Sequence, residues 1–167
     1  MITKQNHGYR LETELLLPQP LDDVFPFFAE ARNLEEITPD FLRFEVLTPA
    51  PLEMREGVEI DYRLKVRGIP IRWRSRITLW DPPHRFMDVQ VKGPYKKWEH
   101  LHTFEQMDGQ TCCRDIVDYD VYGGALIHAL FVKSDVQQIF EYRQQVLRER
   151  FVGKPIEPVG SSISCHS

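Results

Sequence analysis

Little in this chain is in excess, and what it lacks narrows its class first. Among 167 residues there are only three cysteines, Cys112, Cys113 and Cys165, and no C-x-x-C pair. That spacing offers no structural zinc site, and an adjacent pair with one remote companion makes no disulfide scaffold. A reducing compartment is the expectation. No apolar run approaches the roughly 18 residues a membrane span needs, and the opening MITKQNHGYR lacks the charged-then-apolar layout of a secretory signal. A cytoplasmic address without stable membrane insertion follows. Charge of one sign is scarce too: 21 Lys+Arg stand against 25 Asp+Glu, a net charge of −4, and no long basic run is present to grip phosphates. Nucleic acid is therefore not an expected partner. Internal repeats and low-complexity stretches are also missing.

What is there is ordinary globular material, 42% hydrophobic and 28% charged, enough for one domain with a sizeable core. That domain is expected over residues 1–152, with 153–167, rich in Gly, Pro and Ser, as a flexible tail. Residues Tyr9 to Leu17 alternate as a strand. Pro18 and Pro20 stop it, and two short helical segments follow, Leu21 to Glu30 and Ala31 to Thr38. Six more alternating segments come next: Leu42 to Leu47, Val58 to Arg67, Ile71 to Trp80, Arg85 to Lys92, Lys96 to Met107 and Gln110 to Tyr122. The separators carry turn chemistry, notably Gly68, Pro82-Pro83, Gly93-Pro94 and Asp108-Gly109. Ala125 to Phe151 closes the chain as one amphipathic helix. Short connections make the neighbours antiparallel, so the layout is α+β, a curved sheet against a long helix.

Strand phase then places chemistry. A two-residue turn at Asp108-Gly109 pairs Phe104 with Cys113, His102 with Asp115, His100 with Val117 and Trp98 with Tyr119. A turn on Gly68 and Ile69 pairs Leu64 with Trp73, Tyr62 with Ser75 and Ile60 with Ile77. The opposite face, with Lys65, Arg72, Arg74 and the pair Asp61 and Arg76, is charged and reads as solvated. Carrying the parity onward puts Phe86, Asp88 and Gln90 inside beside Leu79, Ile77 and Ser75, and sets Asp88 opposite His100. The inner face thus gathers Tyr62, Trp73, Ser75, Asp88, Gln90, Trp98, His100, His102, Asp115 and Tyr119 within an apolar surface.

Ionisable groups on such a face need each other, hydrogen bonds, or water in a cavity. Three roles stand open for His100, His102, Asp88 and Asp115: polar ties within a core, lining of a pocket, or ligands of a metal. Pocket lining is the leading one, with no metal and no cofactor expected. Within that role a histidine held by a carboxylate is a candidate general acid or base, so these same four residues are the catalytic candidates. No nucleophile stands out, and Cys112 and Cys113 read as packing residues.

The order of elements, with the stretches ITPDFLRFEVLTP, REGVEIDYRL, GIPIRWRSRI and DPPHRFMDVQVKGPYKKWEHLHTFE and the Asp108-Gly109 turn, resembles the START-like SRPBCC superfamily, the birch-pollen-allergen-like group. It is most similar to the ligand-binding, cyclase/dehydrase-like bacterial members. The resemblance implies a helix-grip fold, in which a seven-stranded antiparallel sheet curls around the C-terminal helix and encloses a cavity for a hydrophobic molecule. It implies no single reaction and no shared catalytic set. The resulting expectation is an intracellular binding or carrier protein for a lipid or polyketide-like molecule, acting as a monomer or weak homodimer. The alternative is a polyketide cyclase or dehydratase using His/Asp acid-base chemistry. The opening is expected near the two small helices and the loop from Pro49 to Glu56.

Overall fold

Two tight turns set the sheet. In the computed structural model, whose described residues are 1–152, Arg67 and Gly68 take φ of 51° and 81°, and Asp108 and Gly109 take 49° and 80°. Left-handed backbone at both central positions is the type I′ hairpin turn, whose twist matches that of the strands it joins. The strands are β1 (Ile2–Lys4), β2 (Tyr9–Leu17), β3 (Glu45–Val46), β4 (Glu59–Val66), β5 (Ile69–Asp81), β6 (Arg85–Lys92), β7 (Lys97–Met107) and β8 (Gln110–Asp120). They form one antiparallel sheet in the order β1-β2-β8-β7-β6-β5-β4-β3. Between β2 and β3 lie α1 (Leu21–Ala29) and two 3-10 turns, Ala31–Leu34 and Asp40–Leu42. After β8 come α2 (Gly124–Ile127), a π turn over His128–Val132, and α3 (Lys133–Val152). This is the α+β helix-grip fold.

The strand count is eight rather than seven. The added strand, β1, pairs with β2 at the sheet edge, Ile2 opposite Leu11. At the other edge the expected strand 42–47 shrinks to Glu45–Val46. Residues Asp40–Leu42 wind into a 3-10 turn, and Arg43, at φ 45°, turns the chain before pairing begins. The expected single helix carries a π turn in its first third. The tail 153–167, including Cys165, lies outside the described residues.

Register follows turn placement. Between β7 and β8 every expected pair is found, including His102 with Asp115 and Trp98 with Tyr119. Between β4 and β5 the turn falls on Arg67-Gly68, one residue earlier than expected. The partners are therefore Leu64 with Ile71, Tyr62 with Trp73 and Ile60 with Ser75, and Asp61 meets Arg74 rather than Arg76. A slip of two residues leaves every side chain on its face. The β5–β6 ladder pairs Ile77 with Asp88 as expected, then skips Thr78, so that Leu79 meets Met87 and Trp80 meets Phe86. One extra residue inverts the alternation. Leu79 thereby leaves the inner face, and Trp80 joins it.

One end of the inner face is filled. Leu21, Val24, Phe25 and Phe27 of α1 pack with Leu15, Leu17, Phe86, Phe104 and Leu147 into a closed core. Burying each such ring or aliphatic chain contributes about 1.5–3 kcal/mol. The outer face is charged as expected, with Arg74 Nε 2.8 Å from Asp61 and Arg76 Nε 3.0 Å from Glu59, all substantially exposed. Such pairs are worth at most about 1 kcal/mol each.

Candidate functional site

The other end of the inner face is hollow. A cavity of about 780 Å³ lies between β4–β7 and α3. Its apolar walls come from Tyr62, Leu64, Trp73, Trp98, Ile139 and Phe140, and its polar floor from Ser75, Asp88, His100 and Arg143. Trp73 and Trp98 meet edge to face, with ring centroids 5.4 Å apart. Apolar walls around a few convergent polar groups are the usual build of a small-molecule site.

Of the ten residues expected to line a pocket, Tyr62, Trp73, Ser75, Asp88, Trp98 and His100 do so. Gln90 does not. Its Nε2 donates to the Tyr95 carbonyl at 2.8 Å and its Oε1 accepts from the Tyr95 amide at 3.2 Å, so it pins the β6–β7 turn. A Cβ on Gly93 would come within 2.3 Å of that Oε1, so a side chain there would displace the Gln90 carboxamide from the turn. Tyr119 is also diverted: its hydroxyl lies 2.9 Å from His128 Nε2, tying β8 to the π turn. His102 and Asp115 sit behind the cavity wall rather than in it.

Those two nevertheless belong to the site through one buried cluster. Register set His102 against Asp115 and His100 against Asp88, but the contacts also cross over. His100 Nε2 is 2.9 Å from Asp115 Oδ1, and His102 Nε2 is 3.1 Å from Asp88 Oδ2. His102 Nδ1 is also 3.1 Å from Asp115 Oδ1, while His100 Nδ1 stands 3.7 Å from Asp88 Oδ2. The two imidazoles, at i and i+2 on β7, approach to 3.7 Å between centroids, so two expected pairs merge into one network. Ser75 Oγ donates to Asp88 Oδ1 at 3.2 Å and accepts from Trp73 Nε1 at 3.1 Å, which links the network to the cavity wall.

A fifth member was missed at the sequence level. Arg143, only 6% exposed, reaches from α3 to within 3.2 Å of both Asp115 Oδ1 and His102 Nδ1. The signal was present: Val136, Phe140, Arg143 and Leu147 follow steps of four, three and four, and these are the buried residues of α3. Arg143 Nε is buried and has no hydrogen-bond partner among the described residues.

The electrostatics follow from burial and neighbours. Burial alone would raise Asp115, but Arg143 and the two histidines hold it well below the usual carboxylate range. Asp88 is lowered against the same penalty by His102, His100 and Ser75. Burial, reinforced by His102, pushes His100 down to about 4 despite the two carboxylates, so it is a neutral imidazole at physiological pH. Burial also keeps the Tyr62 phenol protonated. His100, with Nε2–H given to Asp115, keeps an Nδ1 lone pair 3.7 Å from Asp88 Oδ2.

The mouth is framed by Phe41, Arg67, Gly68, Pro94, Tyr122 and Ile127. The small helices contribute as expected, through Leu34, Ile37 and Phe41, but no residue of the Pro49–Glu56 stretch lines the cavity. Leu52 and Met54 of that loop pack instead on the cluster around Ile60 and Ile77. Among the described residues no helix is long and apolar enough to cross a membrane.

Fold and cavity together define a helix-grip protein built around an internal apolar chamber. The chain belongs to the polyketide cyclase/dehydrase and lipid transport family, whose model matches residues 17–148. No curated protein matches it significantly. Among solved structures it resembles TTHA0849 from Thermus thermophilus, at 22% identity and a TM-score of 0.61, covering 86% of this chain and 97% of that one. The Zhui aromatase/cyclase from Streptomyces sp. R1128 aligns at 17% identity and a TM-score of 0.64, covering 90% and 100%. Ginseng major latex-like protein 151 from Panax ginseng aligns at 10% identity and a TM-score of 0.63, covering 86% and 97%. At these identities the likeness speaks for the fold alone.

Proposed function

We propose that the protein is a cytosolic carrier that encloses one apolar small molecule, lipid-like or polyketide-like, with its polar end on the floor of the cavity. The observation that carries this reading is a chamber of about 780 Å³ whose walls are aromatic and aliphatic and whose polar groups converge at one end. Trp73, Trp98, Tyr62 and Phe140 supply contact area. His100 Nδ1 offers an acceptor, suited to a ligand hydroxyl rather than to a bare hydrocarbon. Native mass spectrometry of the protein purified from its host tests the reading. A co-purified mass that leaves on denaturation, and whose re-addition quenches tryptophan fluorescence, is the expected result. An apoprotein that also fails to take up an apolar fluorescent probe overturns it.

One observation favours a second reading, that of an acid-base enzyme of cyclase or dehydratase type. His100 lines the cavity and is oriented by Asp115, the geometry a general base needs, while its burial holds it a weaker base than a free imidazole. In that reading His100→Ala abolishes turnover while ligand binding persists. In the carrier reading no turnover exists to lose.

A further inference from the structure

We propose that the floor of the cavity is a mononuclear metal site for a divalent ion of zinc's class, held by His100 Nδ1, His102 Nε2 and an Asp88 carboxylate oxygen, with its open coordination position facing the chamber. The donor atoms lie within 4.8 Å of one another, and two separations are given by Asp88 Oδ2, at 3.7 Å from His100 Nδ1 and 3.1 Å from His102 Nε2. Donors arranged tetrahedrally at about 2.0–2.1 Å from zinc stand about 3.3 Å apart. The two separations from Asp88 are within a few tenths of an ångström of that value, and the two imidazole nitrogens, within 4.8 Å of each other, close on the ion by side-chain rotation. All three side chains come from adjacent strands β6 and β7, whose register, Asp88 opposite His100 and Phe86 opposite His102, fixes their spacing before any ion arrives.

The second, independent observation is Asp115. Its Oδ1 lies 2.9 Å from His100 Nε2 and 3.1 Å from His102 Nδ1, the two ring nitrogens that are not in the donor set. A carboxylate accepting the far N–H of a ligating imidazole fixes its tautomer and raises its basicity, the usual outer partner of a histidine on a metal. One oxygen lies within reach of both rings, and in the tautomers that give both N–H groups to Asp115 the remaining nitrogens, His100 Nδ1 and His102 Nε2, face Asp88 Oδ2, itself an acceptor, at 3.7 Å and 3.1 Å. Three acceptors converging in a buried space call for a cation between them. Arg143, 3.2 Å from Asp115 Oδ1, neutralises that carboxylate. Without the ion, His102 has another choice: it accepts from Arg143 at Nδ1 and donates from Nε2 to Asp88. Metal binding thus exchanges the tautomer of His102 and leaves the Arg143 N–H group to Asp115 Oδ1, also 3.2 Å away.

An ion there changes what the cavity does. It presents a Lewis acid to the carbonyl or hydroxyl oxygen of the enclosed molecule. Among the described residues Asp88 and His100 line the chamber and His102 lies behind, so the open position faces the ligand's polar end. The proposal adds to the carrier reading but is tested with the chamber empty, so the two fail separately: metal binding is read by titration, ligand capture by mass spectrometry.

Full-length protein stripped with a chelator and dialysed is titrated with Zn²⁺ against a competing chromophoric chelator, and with Co²⁺ by absorption. The expected result is one equivalent bound, with the intense visible bands of tetrahedral cobalt. His100→Ala and His102→Ala lose the equivalent and the bands, and Asp115→Asn weakens binding about 10–100-fold. Because a buried histidine variant can misfold, the unmodified protein carries a second readout: Co²⁺ should shift the imidazole resonances of two histidines in its proton spectrum. Absence of stoichiometric binding in the folded protein overturns the site. So does a weak octahedral cobalt spectrum that survives His100→Ala, which would mark a surface ion.

Discussion

The same concave face ends two ways. At the α1 end, four side chains of a nine-residue helix plug the sheet and leave a solid core around Phe86 and Phe104. At the β4–β5 end no such plug exists, and Trp73, Trp98 and Tyr62 surround a void. The histidine cluster sits on the boundary: His102 stacks on Phe86, centroids 4.1 Å apart, while His100 borders the chamber. What separates the ends is therefore not the chemistry of the strands but the presence of α1. Its apolar side chains at Leu21, Val24, Phe25 and Phe27 fill the sheet where it lies, and a ligand has room where it does not.

The sharpest way to break that comparison is to make one change at both ends. Phe104→Ala, in the filled half, should cost about 3–5 kcal/mol, because neighbours packed to crystal density cannot collapse into the space. Phe44→Ala, on the chamber wall, should cost less than about 2 kcal/mol, since its ring already faces a void on one side and has fewer contacts to lose. Urea unfolding of both variants measures the difference. Equal losses would mean that the hollow half is not hollow in solution.

The boundary itself has a pH signature, which is the next largest effect. In the unfolded chain a histidine titrates near its ordinary value of 6.5, whereas His100 in the native state resists protonation until about 4. Between these values the unfolded state binds the extra proton, so stability is full above about pH 6.5 and falls as pH drops toward 4, by on the order of 3 kcal/mol. Below that, Asp88 and Asp115, both held under their ordinary range, extend the loss, because the unfolded carboxylates protonate first. Metal-free protein unfolded in urea at a series of pH values should show this slope, and His100→Gln should flatten it between pH 6.5 and 4. An unchanged slope in that variant would assign the titration to another group.

How far all this was legible in the sequence differs between the ends. The Asp-Gly turn, left-handed at both residues, dictated β7–β8 register outright, and with it the placing of His100, His102 and Asp115 on one face. The β4–β5 turn was placed one residue late because Arg67 carries no turn signal. It takes a positive φ that arginine seldom adopts, and only the adjacent Gly68 advertises the bend. The bulge at Thr78 has no signature at all, since a skipped residue leaves the composition of a strand unchanged. Gln90 was assigned to the chamber on parity alone, although a carboxamide near a Gly-Pro turn can satisfy backbone groups locally, which is what it does. Arg143 is legible only in combination: a charge in register with the apolar stripe of its helix, and carboxylates on the inner face of the sheet that call for a counter-charge.

The smallest expected effect concerns the helical run after β8, where the filled-versus-hollow contrast continues along a single element. From Val136 to Leu147 the buried stripe grips the sheet, and Leu147 is 2% exposed. Before the π turn and through it, Leu126 and Leu130 are 68% and 58% exposed, so the first turns of the segment 125–151, expected as one amphipathic helix, do not share its buried stripe. The π turn explains the offset: one extra residue in a helical turn rotates everything before it by about 100° relative to the stripe that follows. Leu130→Ser should then shift stability by no more than about 0.5 kcal/mol, as befits a side chain already in water, while Leu147→Ser should cost several times that. Thermal unfolding of the two variants side by side decides it. A loss for Leu130→Ser comparable with that for Leu147→Ser would place the first turns of this run against the sheet and close the mouth that Tyr122 and Ile127 now frame.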